Sequence, residues 1–66
     1  MRPLLTRREK EVCDLICKGR TNKEVAKELK ISPRTVEDHR IHIMKKYRAR
    51  NMIEVVLLVH NLVEPA

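Results

Sequence analysis

Apolar positions along this chain recur at helical spacing, not at the alternation of strands. At 100° per residue, Val12, Leu15 and Ile16 fall on one face, Val25, Ala26 and Leu29 on another, and Val36, Ile43 and Tyr47 on a third. Polar residues between these stripes mark where helices begin. Thr6-Arg7-Arg8-Glu9 and Thr21-Asn22-Lys23-Glu24 read as capping boxes, with threonine at the N-cap and glutamate three residues on. Asn51, followed by Glu54, reads as a third N-cap. Ser32-Pro33 is a capping serine with proline at the first helical position. Gly19 suits a helix C-terminus. Together these predict helices over roughly 7–18, 22–29, 33–47 and 52–62, an all-α four-helix bundle in a single domain, 1–66. Leu5 and Ile31, just outside helices, are expected to plug the ends of the core.

The second and third helices are joined only by Lys30-Ile31-Ser32. A short helix, a tight turn and a longer helix form the helix-turn-helix pattern. The third helix has a second face, opposite Val36, made of Arg34, Glu37, Asp38, Ile41, Lys45 and Arg48. A solvated surface needs no isoleucine, and a core does not want arginine and lysine. A helix lying in a DNA major groove uses this mixture: arginine for guanine edges, carboxylates for cytosine amino groups, an aliphatic for thymine methyls. Lys45 and Arg48, with His42 beside them, suit phosphates, and so does the start of the second helix at Thr21, Asn22 and Lys23. A plainer reading is a solvated face with an Arg34–Asp38 pair at i,i+4. The two are compatible, since such a pair can also orient the arginine.

Charge sharpens the choice of partner. Fifteen Lys and Arg against nine Asp and Glu give a net charge of +6 over 66 residues, which favours a polyanion. No apolar run reaches the ~18 residues a membrane span needs, and Phe and Trp, the anchors of an interfacial membrane helix, are absent. The single aromatic, Tyr47, argues against base-stacking on single strands. Cys13 and Cys17 lack the further ligands of a zinc site and read as reduced thiols of a cytoplasmic protein. His39, His42 and His60 form no nucleophile–base–acid spacing, and no glycine-rich phosphate loop is present, so neither an enzyme nor a bound cofactor is expected. The competing class is a basic helical adaptor for an acidic protein surface.

The segments LTRREKEV, G-x-TNKEVA-x-x-L-x-ISPRTVEDH and IMKK, in that order, resemble the LuxR/FixJ-type DNA-binding domain of bacterial transcription regulators, from Leu5 to about Leu62. The resemblance implies a four-helix fold whose third helix reads the major groove of double-stranded DNA. It places Glu37, Asp38 and Ile41 at base-contacting positions, and Thr21, Asn22, Lys23, Ser32, Thr35 and Lys45 among backbone-contacting ones. Such domains are commonly effector halves of two-component response regulators, with RNA polymerase as a further candidate partner. Two departures stand out: Tyr47 where leucine is usual, and Glu37 where a basic residue is frequent.

The last helix adds a candidate dimer contact. Met52, Val55, Val56, Val59, Leu62 and Val63 share the side that closes the core. Glu54, Leu57, Leu58 and Asn61 lie opposite, where an isologous contact with a second copy would cover the leucines. The sequence alone fits an isolated effector domain and a stand-alone regulator equally.

Overall fold

The structure, a computed structural model, describes residues 4–60. Four helices follow in order: α1 (Arg7–Cys17), α2 (Asn22–Leu29), α3 (Pro33–Tyr47) and α4 (Met52–Val59). Their starts are those the caps predict. Thr6 Oγ1 accepts the Glu9 N–H while the Glu9 carboxylate accepts the Thr6 N–H, and Thr21 and Glu24 repeat the exchange. Ser32 Oγ accepts the Thr35 N–H ahead of Pro33, and Asn51 Oδ1 accepts the Glu54 N–H. Each arrangement satisfies a donor that a helix start leaves over.

The ends differ slightly from expectation. The first helix stops at Cys17, one residue early, with Lys18 as its cap. Gly19 then takes φ +90°, a conformation costly for other residues, and its N–H donates to the Ile16 carbonyl at 2.9 Å. Helix α4 runs to Val59 with His60 as its cap, so the expected continuation to 62 lies partly outside the described residues. At the start of α4, the Glu54 carboxylate accepts the Arg50 N–H and pairs with the Arg50 guanidinium at 3.6 Å.

Helix α3 is the central element, packing against α1, α2 and α4. The core joins Val12 and Cys13 of α1, Val25 and Ala26 of α2, Val36 and Ile43 of α3, and Met52 and Val55 of α4. Leu15, Ile16, Leu29, Tyr47 and Val59 close it at the edges, and Leu5 and Ile31 plug the ends as expected. Cys13 is a full core member. Burial pushes its thiol up to about 12, with Cys17 beside it adding to the shift, so Cys13 stays protonated and inert. His39 is half-buried, and its side chain makes no hydrogen bond among the described residues.

Candidate nucleic-acid interface

The turn at Lys30-Ile31-Ser32 sets α3 across α2 and leaves one full side of α3 uncovered. Arg34, Glu37, Asp38, Ile41, Lys45 and Arg48 are all exposed on it. Ile41 is 44% accessible, whereas Ile43, two residues along the same helix, is completely buried. The Arg34 guanidinium lies 3.6 Å from the Asp38 carboxylate, the expected i,i+4 pair. Open to water, that pair is worth a few tenths of a kcal/mol, so it orients more than it stabilises. Glu37, Lys45 and Arg48 make no ion pair with any described residue. At the helix start, Ser32 and Thr35 share a hydroxyl–hydroxyl bond of 2.9 Å, with Thr35 half-buried and Ser32 exposed.

The start of α2 lies alongside. Thr21 and Lys23 are exposed, while Asn22 is half-buried because the Arg40 guanidinium of α3 donates to its Oδ1. The Asn22 carbonyl oxygen therefore fastens α2 to α3. This link joins residues 18 apart in sequence, and no local pattern announces it.

The opposite flank of α3 holds a feature that sequence reasoning missed. Glu9, beyond its part in the first capping box, is buried at 5% accessibility and receives the Lys46 ammonium at 2.6 Å. Lys46 also reaches the Leu4 carbonyl at 3.3 Å. The Lys46 hydrogen bond, followed by that from the Thr6 backbone, holds the Glu9 carboxyl below its usual 4.5 despite its burial. His42 sits on this flank, its Nδ1 4.0 Å from Glu9, with most of its ring exposed. Lys45 and Lys46 thus diverge: one faces solvent, the other ties α3 to α1.

On α4, Leu57 and Leu58 are both half-buried, not fully outward. Glu54 is held by Arg50. The most exposed apolar side chain of this helix is Ile53, 72% accessible, which sequence reasoning passed over. Ile53 and Leu57 stand at i,i+4 and so share a ridge. Asn61 lies outside the described residues.

Residues 3–59 match the family described as bacterial regulatory proteins, luxR family. The chain belongs to the LuxR family. A relative from Escherichia coli (strain K12), the uncharacterized response regulatory protein YgeK, is 50% identical over 52 residues, covering 79% of this chain and 35% of its own. The oxygen regulatory protein NreC of Staphylococcus carnosus (strain TM300) is 45% identical over 53 residues, covering 80% of this chain and 24% of its own. The tetrathionate response regulatory protein TtrR of Salmonella typhimurium is 36% identical over 61 residues, covering 92% of this chain and 30% of its own. The chain thus spans roughly a quarter to a third of the length of these relatives.

A LuxR-type domain is a helix-turn-helix DNA-binding unit of transcription regulators and not an enzyme. Among the described residues, no helix is long and apolar enough to cross a membrane. The chemistry that this domain exposes fits that membership. Its uncovered helix face offers a guanidinium, two carboxylates, an aliphatic branch and two further cations, each able to meet a base edge or a phosphate.

Proposed function

We propose that this LuxR-type domain binds double-stranded DNA sequence-specifically, with α3 in the major groove, as the effector part of a bacterial transcription regulator acting in the cytoplasm. The observation that carries the reading is the uncovered face of α3, where Arg34, Glu37, Asp38 and Ile41 stand exposed together. These four read bases. Thr21, Lys23, Ser32, Lys45 and Arg48 hold phosphates around them, and the half-buried Asn22 and Thr35 contribute at the edges. His42, next to Glu9, is the weakest of the proposed phosphate contacts. Selection of sites from random duplexes tests the reading: one preferred sequence should emerge. Asp38→Ala should then change which bases are preferred more than it lowers affinity. A uniform loss on every sequence would contradict base reading.

The proposal extends to a homodimer through α4 on a two-part, roughly palindromic site. The exposure of Ile53 supports this, and it moves the centre of the contact toward the Ile53–Leu57 ridge, with Leu58 at its edge. Ile53→Asp should leave half-site binding intact and abolish cooperative filling of the full site. Retained cooperativity would place the dimer seam elsewhere.

A further inference from the structure

Arg40 is a half-buried cation of α3 that pairs with no acid among the described residues. Its guanidinium donates instead to a neutral group, Oδ1 of Asn22 in the first turn of α2. Arginine donates hydrogen bonds and accepts none, whereas a carboxamide accepts at its oxygen and donates from its nitrogen. The Arg40 bond therefore decides which way round the Asn22 amide sits, with Oδ1 taken and Nδ2 left over. Nδ2 has no partner among the described residues, where no side-chain nitrogen or oxygen is both buried and unpartnered, so its N–H groups reach solvent. Around it, the capping box uses up the Thr21 and Glu24 backbone N–H groups, while those of Asn22 and Lys23 meet no acceptor among the described residues. Along α3, Arg40 stands three residues after Glu37 and is its neighbour on the helix surface. The grip on Asn22 thus brings the start of α2 to the Glu37 edge of the uncovered face.

We propose that Arg40 is a positioning residue for DNA binding: it holds the Asn22 carboxamide so that the Nδ2 N–H groups donate to a phosphate oxygen at the start of α2. The inference rests on the DNA-binding reading above. A phosphate only accepts hydrogen bonds, so the amide serves it in one orientation and meets it oxygen to oxygen in the other. An asparagine without Arg40 samples both, and ordering it then counts against binding. Arg40 removes that cost in advance, and its permanent charge makes the hold stronger than a neutral donor would. The contact reads no base. It fixes where the backbone lies relative to α3.

The test is a scan of single methylphosphonate linkages, each neutralising one phosphate, through a selected duplex. Equilibrium binding compares the parent, Asn22→Ala, Arg40→Met and the double variant, with thermal midpoints measured alongside. Of the linkages that weaken the parent, one should cost it about tenfold, the worth of a hydrogen bond to a charged group. That linkage should lose its effect in both Asn22→Ala and Arg40→Met, while the others keep theirs. The double variant should bind as Asn22→Ala does, because Arg40 acts through Asn22. Losses that simply multiply would make Arg40 an independent contact, and a parent-like scan of Arg40→Met would make the link structural only; either result overturns the proposal. Asn22→Asp separates fold from binding. Its carboxylate still accepts from Arg40, keeping the midpoint at or above the parent's, but it offers no donor, so selected and random duplexes should both bind about tenfold more weakly. Parent-like affinity in Asn22→Asp would also sink the proposal, while the parent's own preference for the selected duplex leaves the reading of α3 standing. A parent that binds neither duplex would overturn both.

Discussion

Two flanks of α3 carry the same kinds of side chain and use them in opposite ways. On the flank toward α1, Lys46 is locked onto the buried Glu9 carboxylate and the Leu4 carbonyl. On the uncovered side, Lys45 and Arg48 have no counter-charge among the described residues, and Arg34 has only a solvated one. Isoleucine divides likewise, Ile43 sealed in the core and Ile41 open. Net charge therefore says little about which cations are free to bind. An internal carboxylate consumes one, and the geometry of helix packing decides which.

The comparison can be broken most forcefully at the isoleucines. Ile43→Ala should destabilise the domain by about 3 kcal/mol, since it opens a cavity among residues of three other helices. Ile41→Ala should cost under ~0.5 kcal/mol and shift base preference at one position. Urea denaturation of both measures the contrast, and equal destabilisation would mean that the two sites are equivalent.

Next comes the α1–α3 tie. Glu9→Ala removes half of a capping box and the partner of Lys46, and should cost about 2 kcal/mol. The partial exposure of Lys46 keeps the loss below that of a fully buried pair. Molecules still folded should bind DNA with the parent's salt slope, which a titration corrected for the folded fraction would show.

The same carboxylate predicts a pH dependence. The Glu9 pKa is lower in the folded chain than its ordinary 4.5, so the unfolded state takes up its proton first as pH falls. Its contribution is fully present above about pH 4.5 and is lost as pH drops through the lower folded value. Denaturation curves between pH 6 and 3 should show stability falling, and Glu9→Gln should flatten that fall.

The smallest effect on stability belongs to Lys45. Lys45→Ala should change stability by less than ~0.5 kcal/mol yet make the salt slope for duplex binding shallower by about 0.9. Lys46→Ala should do the reverse, lowering stability and sparing the slope. If the two adjacent lysines behave alike, the division of α3 into a structural flank and a binding face is wrong.

Helix starts were legible because their signals are local. Thr6, Thr21, Ser32 and Asn51 each cap a backbone N–H three residues on, so four adjacent residues contain the whole interaction. The outward face of α3 was legible for the same reason: a fixed rotation per residue separates Val36 and Ile43 from Arg34 and Ile41 wherever the helix packs. That left α4 ambiguous. Its apolar residues occur nearly all round, so periodicity could not rank them, and the exposure of Ile53 emerged only once α3 and α1 had covered Met52 and Val55.

By itself, the sequence determined four capped helices, the apolar stripes that bring them together, the helix-turn-helix order and membership of the LuxR family. The tertiary structure alone decided which of two neighbouring lysines is spent, that Arg40 of α3 holds Asn22 at the start of α2, and that Cys13 sits in the core. The physical reason is range. Capping and periodicity act within one helical turn, whereas Glu9 meets Lys46 across 37 residues, at a distance set by the crossing of two helices and written in no single segment.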